Sequence, residues 1–244
     1  MVTRVGGRTV VRELRSGLPI GLRQLRGWAG ASLGEAAVRV GIVQTGAMLV
    51  GGDDVRLEVD VGPGASLVLQ DISATLAHPM APGVPAAAQS LDVRVADGAR
   101  VVIAEEPLVI AHGARVRRSV RLALEGSASA VHRDTLVLGR HGEPGGAVRT
   151  RTRVERDDRP VLDDGLDTGD PGVSASPAVL GGARVLSSLA AFGLPSLTAG
   201  DDPRIPDDAF VLGPGDVLVR RIGGTVRGAG LDHLLTRWSA ACDG

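Results

Sequence analysis

The sequence predicts a mainly β protein, in which stacked, solenoid-like sheets form one scaffold domain that carries two short C-terminal amphipathic helices. Residues 55–61 alternate strictly between apolar and charged side chains, which is typical of a strand with one buried face. Small turn dipeptides precede several such segments. Residues 183–192 and 231–241 instead repeat apolar side chains every three or four positions, which indicates amphipathic helices.

A short turn motif recurs along the first half of the chain. Glycine permits the positive φ of a tight turn, and an apolar or alternating strand follows each copy. The irregular spacing predicts strands stacked in layers rather than a strictly periodic solenoid. The four copies begin at Gly64-Ala65, Gly98-Ala99, Gly113-Ala114 and Gly126-Ser127.

The remaining strands are predicted from β-branched content and alternation. A stretch rich in Gly, Pro and Ser at residues 167–177 is expected to end this β region. At 244 residues, one domain is the better expectation, with a β scaffold over about residues 1–166 and a helix-containing part over about 178–244. The further predicted strands are residues 9–12, 36–43, 91–95, 116–124, 135–138 and 147–155, and a hairpin joins 210–212 to 217–219.

Composition excludes several classes of function. The net charge of −1 argues against a nucleic-acid footprint or a polybasic membrane surface, and 2% aromatic residues argue against stacking platforms. The single Cys242 excludes an internal disulfide and a Cys-based structural zinc site. The sequence contains no run of ~18 apolar residues, so no membrane span is predicted. Residues 1–26 contain no signal-peptide pattern. The expectation is a soluble, cytoplasmic protein.

The chain contains none of the common nucleotide, zincin or hydrolase signatures, so no catalytic residue is assigned. Two glycine-rich loops carry acids: Gly51-Gly52-Asp53, and Gly139-Arg140-His141-Gly142-Glu143. Carboxylates in such loops bind divalent cations, with help from imidazole. Equally, such acids are often only solvated turn residues.

An ordered set of short motifs resembles the urease accessory protein D family (UreD, also called UreH). The resemblance covers roughly residues 38–166. Two segments depart from the family pattern: His132-Arg133-Asp134 stands where Trp-Glu is frequent, and Leu76-Ala77-His78-Pro79 replaces an aromatic and basic segment. The motifs are Gly51-Gly52-Asp53, Gly62-Pro63-Gly64-Ala65, Ala74-Thr75, Asp97-Gly98-Ala99, Glu105-Glu106-Pro107, Leu138-Gly139-Arg140 with Gly142-Glu143, and Arg159-Pro160-Val161-Leu162.

This resemblance implies a non-enzymatic scaffold that binds apo-urease and the accessory proteins UreF and UreG, and that helps to insert nickel. No cofactor would be tightly bound, and nickel would pass only transiently. Asp53 and Glu143 match the loop acids of the family and are the candidates to line an internal polar passage. Gly51, Gly52, Gly139, Arg140 and Gly142 would shape the two loops. The C-terminal part would pack on UreF through Val185, Leu189, Phe192, Leu231, Leu234, Leu235 and Trp238.

Two alternatives remain open from the sequence. The first is a metal-dependent hydrolase on a β scaffold, with Asp53, His141 and Glu143 around a cation; it requires these three ligands to converge in one pocket. The second is a β scaffold that only mediates protein contacts, with acids that never meet a metal.

Overall fold

The computed structural model describes residues 1–26, 33–197 and 205–242, and these form two β-sheets packed face to face. Helices contribute little. In chain order the elements are β1 Val2–Val5, β2 Arg8–Val11, β3 Ile20–Gln24, β4 Val38–Gln44, β5 Asp54–Val61, β6 Ser66–Asp71, β7 Thr75–Ala77, β8 Ala87–Val95, β9 Arg100–Ala104, β10 Leu108–Ile110, β11 Arg115–Leu124, β12 Ser129–Leu138, β13 Ala147–Arg156, β14 Arg159–Asp167, α1 Pro171–Ala175, β15 Val185–Phe192, β16 Ala209–Gly213, β17 Asp216–Gly223 and α2 Asp232–Ala241.

The first sheet has the strand order β14-β13-β11-β8-β5-β1-β2. The second sheet has the order β16-β17-β15-β12-β9-β6-β4-β3, with β10 and β7 attached beside β12. From β4 to β13 the chain alternates between the two sheets, apart from the short β7 and β10. The strands added in this way run parallel to their neighbours, as in β5, β8, β11 and β13. This is the solenoid-like stacking that the sequence predicts.

The recurring turn motif forms one corner of the stack. Gly64, Gly98 and Gly126 have φ values of 62°, 66° and 50°, a backbone conformation that residues with a Cβ rarely adopt. Ala65, Ala99 and Ala128 in these turns have no exposed surface. The main chain of one turn also binds the next, since Arg100 N donates to Ala65 O at 2.8 Å. The predicted layers of short strands are therefore confirmed.

Two buried apolar clusters stabilise the packing around the second sheet, one on each of its faces. Between the two sheets, Val93 and Leu122 of the first sheet pack with Leu69 and Ile103 of the second. On the outer side of the second sheet, α2 covers another buried cluster in which Trp238 is fully enclosed. Burial of such a large side chain contributes on the order of 2–3 kcal/mol.

The prediction of a helix at residues 183–192 is wrong, because this segment is strand β15. It pairs with β12 along one edge and with β17 along the other. Both of its faces are also buried, with Phe192 in the cluster between the sheets and Leu189 in the cluster beneath α2. A strand buried on both faces has apolar side chains at most positions, and such a run also satisfies a helical spacing. The predicted helix over 231–241 is confirmed as α2.

The described C-terminal part therefore contains one helix rather than two. The short α1 lies instead in the segment expected to end the β region. None of the helices in the described parts of the chain is long and apolar enough to cross a bilayer.

Candidate functional site

Five ionisable side chains meet inside the sandwich, in an interior that is otherwise mostly apolar. We call Asp71, Glu105, Arg118, His132 and Asp134 the buried charge cluster. Arg118 projects inward from β11 of the first sheet, with only 5% of its side chain exposed. The other four come from the second sheet or from the loop that follows β9.

Local irregularity in the second sheet brings Glu105 to this place. Strands β9 and β10 both pair with β12, but three residues, 105–107, stand opposite two, 134–135. This is a β-bulge, and Pro107 within it has no N–H to give to the ladder. A bulge redirects side chains, and here it accompanies the inward direction of the Glu105 carboxylate.

Arg118 lies at the centre of the cluster. Its Nη2 donates to Glu105 Oε2 at 2.6 Å, its Nη1 lies 2.7 Å from Asp134 Oδ2, and its Nε donates to Gln89 Oε1 at 3.2 Å. The planar guanidinium thus joins two buried carboxylates from the opposite sheet. Burial alone would lower the pKa of Arg118, but the charges of Asp134 and Glu105 outweigh burial and raise it, so the group stays cationic.

Glu105 also contacts His132, whose Nε2 lies 2.7 Å from Glu105 Oε2. Burial would raise the pKa of Glu105. The charge of Arg118 and the hydrogen bond with His132 outweigh burial and lower the pKa to about 2. Glu105 is therefore an anion at neutral pH.

Asp71, at the end of β6, behaves in the opposite way. Its Oδ2 accepts a hydrogen bond from the Glu106 N–H at 3.1 Å. Burial, and then the negative charge of Glu105, raise the pKa of Asp71 to about 8. At neutral pH this carboxyl group is mostly protonated, so the cluster holds acids in two different charge states.

Residues of the cluster line two pockets of the sandwich. A narrow one of about 30 Å³ is lined by Gln70, Asp71, Thr75, Glu105 and Arg118 among others. A wider one of about 360 Å³ has His132 and Asp134 in its wall, together with Ser188 and an ion pair of Arg220 with Asp164 at 2.5 Å. Arg118 lines the first pocket and Asp134 lines the second, so the ion pair between them links the walls of the two pockets.

The two loop acids chosen from the sequence lie outside this cluster. Asp53 Oδ2 accepts from the Val50 N–H at 2.9 Å and closes its own turn. Glu143 accepts from Arg140 through backbone N–H and guanidinium, and from the His112 N–H. These bonds, with the Arg140 side chain first, lower the pKa of Glu143 to about 2. Both carboxylates hold their loops.

The glycines of these loops fit their surroundings closely. Gly139 has a φ of 80°, and a Cβ there would lie 2.6 Å from Glu143 O. A Cβ on Gly51 would lie 2.5 Å from a Val84 methyl group. Within residues 1–26, 33–197 and 205–242, no three His, Cys, Asp or Glu side chains have an arrangement that could hold a metal ion. Asp53, His141 and Glu143 are therefore not brought together as the hydrolase alternative requires.

The side chains that the sequence analysis expects to contact UreF are buried in the core of this chain. They hold β15 and α2 in place rather than forming a surface. The C-terminal part instead exposes Phe210, Val211 and Leu212 on the edge strand β16, with 57% of Phe210 accessible. The enclosed residues are Val185, Leu189, Phe192, Leu231, Leu234, Leu235 and Trp238.

Most residues of the buried charge cluster are not among the site residues predicted from the sequence, although the pattern around Arg118 indicates a buried charge. In residues 116–124 the apolar side chains occupy even positions, and Arg118 is an even position. A charged residue on the apolar face of an alternating strand indicates a buried partner. The bulge that supplies the partner, Glu105, cannot be recognised from spacing alone.

The fold and this interior define the class: a two-sheet β stack whose distinctive polar feature is a closed, ion-paired cluster rather than an open cleft. Comparison with known proteins then identifies the family. The family model described as UreD urease accessory protein matches residues 1–232.

Curated relatives agree with this match. Urease accessory protein UreD 1 of Streptomyces griseus subsp. griseus is 41% identical over 209 residues, which cover 86% of this chain and 77% of that protein. UreD 1 of Saccharopolyspora erythraea is 41% identical over 183 residues, which cover 75% of this chain and 70% of that protein. UreD 3 of the same Streptomyces is 36% identical over 211 residues, covering 85% and 78%. The chain belongs to the UreD family of urease accessory proteins.

Proposed function

We propose that the protein is a cytoplasmic scaffold for urease maturation. In this proposal it binds apo-urease together with UreF and UreG, and it assists the insertion of nickel without catalysing a reaction. Family membership supports the link to urease. The observation that carries the nickel part is the buried charge cluster, whose residues line two pockets of the sandwich.

Charged groups inside a sandwich are costly, because each loses its hydration on burial. An apolar interior of similar volume would stabilise the fold at least as well, so the presence of the cluster favours a role beyond stability. Carboxylate and imidazole are suitable ligands for nickel, and Glu105, His132 and Asp134 offer both as successive contacts rather than as one three-ligand site. A few weak contacts suit transfer, since a complete cage of ligands would retain the ion.

In this proposal Arg118 closes the passage. Its guanidinium occupies the position between Glu105 and Asp134 that a divalent cation would take. Two positive ions cannot share that position, so nickel would advance only when Arg118 moves away from the carboxylates. The arrangement described above would then be the closed state, and partner binding would be the event that opens it.

Asp53 and Glu143 keep a lesser place in the proposal, as contacts at the end of the sandwich. Their loops precede strands β5 and β13, whose first residues lie at the same end of the first sheet. Each carboxylate is already held by donors of its own loop. The interior acids are for that reason the stronger candidates for nickel contacts.

The C-terminal part would provide the contact with UreF. We assign this contact to the exposed β16 side chains, because an apolar edge strand can accept a partner without unfolding of the core. The buried residues of β15 and α2 would support that surface from beneath.

Substitution in the cluster tests the nickel proposal. Glu105→Gln retains the shape of the side chain and removes its charge, and we expect urease matured with this variant to contain roughly tenfold less nickel. Nickel is measured in purified urease by elemental analysis. Glu155→Gln is the matched control, since it removes one carboxylate charge from a surface ion pair with Arg121 that has no place in the proposed passage.

Co-purification separates nickel passage from scaffolding. If Glu105→Gln still retains UreF, UreG and urease while nickel loading falls, the cluster acts on nickel. Normal nickel loading with that variant would favour a scaffold that only mediates protein contacts. Normal urease activity in cells that lack the protein would contradict the whole proposal.

A further inference from the structure

A concave basic surface lies on the outer face of the first sheet, on the side away from the second sheet. Its floor consists of the small side chains of Ala88, Ser90 and Ser119, and its volume is about 470 Å³. We call it the basic depression. The guanidinium groups around the floor belong to Arg56, Arg117, Arg149 and Arg151.

Strand register places like charges side by side here. Strands β11 and β13 are parallel, and Arg117 is paired directly with Arg149, as Arg121 is with Arg153. Neighbouring strands lie only ~4.8 Å apart, so adjacent cations on one face repel each other. Such an arrangement is stable only with anions nearby.

Most of these arginines form ion pairs within the sheet, whereas Arg117 has, among the described residues, only the nearby charge of Asp54, which is itself paired with Arg56. Arg149 pairs with Asp167 at 2.5 Å, Arg151 with Asp163 at 2.7 Å, and Arg56 with Asp54 at 2.5 Å. Arg117 is exposed and forms no ion pair or hydrogen bond with any residue in the described ranges. Its guanidinium is therefore available to a ligand, with the Ser90 and Ser119 hydroxyl groups on the floor beside it.

We propose that the basic depression binds a short acidic segment of a partner protein, whose carboxylates lie among Arg117, Arg149 and Arg151. Guanidinium groups match carboxylates with two parallel hydrogen bonds, and serine hydroxyls add donors. The proposal concerns the outer surface, so it is independent of the buried charge cluster and of nickel.

Features of the rim favour an acidic peptide over a nucleic acid. Asp54, Glu58 and Asp92 also line the depression, so a long phosphate backbone that crosses the sheet would meet carboxylates of its own charge. The chain is also poor in aromatic residues, at 2%, and none lines the depression to stack on bases. A segment of a few acidic residues avoids the rim and occupies the floor.

The test uses a fluorescein-labelled peptide with three consecutive glutamates as the probe, roughly 10 Å when extended and so short enough for the floor. Its binding to the full chain is followed by fluorescence anisotropy at low ionic strength. Arg117→Glu should weaken binding about tenfold, because it places a repelling charge among the remaining arginines. Arg94→Glu is the matched control: it makes the same charge change on the same sheet face, outside the depression, and should leave the affinity within about twofold. Thermal unfolding confirms that both variants are folded, and Arg149→Gln provides a second variant.

Three outcomes would overturn the proposal. One is the absence of measurable peptide binding by the unsubstituted protein. Another is equal weakening by Arg94→Glu and Arg117→Glu, which would mean that only net charge matters. The last is tighter binding of a labelled single-stranded oligonucleotide of equal charge than of the peptide, which would assign the surface to nucleic acid.

Discussion

Arg118 is the residue on which the charge balance of the interior depends. It is the cation that faces both Glu105 and Asp134, and its two ion pairs join the sheets. Its neighbour Arg117 has the same chemistry but points to solvent. The two positions therefore form a matched pair for separating buried from exposed charge.

Arg118→Met should lower the free energy of unfolding by about 3–5 kcal/mol, because it leaves buried carboxylates without their cation. Urea denaturation measures this change. Arg117→Met should change the same quantity by no more than about 0.5 kcal/mol. Equal effects of the two substitutions would show that the Arg118 ion pairs do not matter for stability.

Asp71 predicts a pH dependence of opposite sign to that of an ordinary ion-paired acid. Its pKa in the folded protein is about 8, above the usual 3.8, so between these values the folded state binds more protons than the unfolded state. Stability attributable to Asp71 is therefore greatest below about pH 4 and declines as pH rises through about 8.

Asp71→Asn should remove this decline, because the amide resembles the protonated acid and still accepts from Glu106 N–H. Chemical denaturation at intervals from pH 5 to 8.5 measures the difference in slope. Asp53→Asn, a change in a surface turn, serves as the control. A variant whose stability falls with pH as steeply as that of the unsubstituted protein would contradict a neutral Asp71.

At the scale of elements, the C-terminal part divides into a buried support and an exposed edge. Helix α2 lies on the second sheet, and Asp232 at its first turn pairs with Arg133, which also binds the bulge carrying Glu105. The helix is thus tied to the loop that forms the buried charge cluster. Strand β16, by contrast, has one paired neighbour, β17, in the described structure.

Substitutions in these two elements should separate partner binding from folding. Phe210→Asp should reduce co-purification of UreF and leave the melting temperature nearly unchanged, because Phe210 is exposed. Trp238→Ala should lower the free energy of unfolding by about 3–5 kcal/mol, because it empties a fully buried site. If the Phe210→Asp variant still co-purifies with UreF, the contact lies on a surface other than β16.

At the scale of the whole molecule, alternation between two parallel sheets explains why the interior can hold a charged cluster. Each added pair of strands extends both sheets. The buried apolar residues on both sides of the cluster stabilise the fold and so offset the free-energy cost of burying the charged groups. A break in the second sheet at residues 105–107 then changes one layer without disturbing the stack.

Much of this architecture could be predicted from local patterns. Alternation at residues 55–61 and 116–124 identified strands, and Gly64, Gly98 and Gly126 marked the turns, because period and positive φ are local properties. The helix at residues 231–241 was found for the same reason. The family resemblance was also recognisable, since its motifs follow one another along the chain.

Only the tertiary structure decided which polar residues meet. Residues 183–192 became a strand because two neighbouring strands satisfy its backbone, which overrides a helical spacing. Glu105, Arg118 and His132 came together through pairing of distant strands and a bulge, and Glu143 was engaged by the adjacent Arg140. Sequence spacing determines the face on which a side chain lies, whereas its partner across the sandwich depends on sheet order and register.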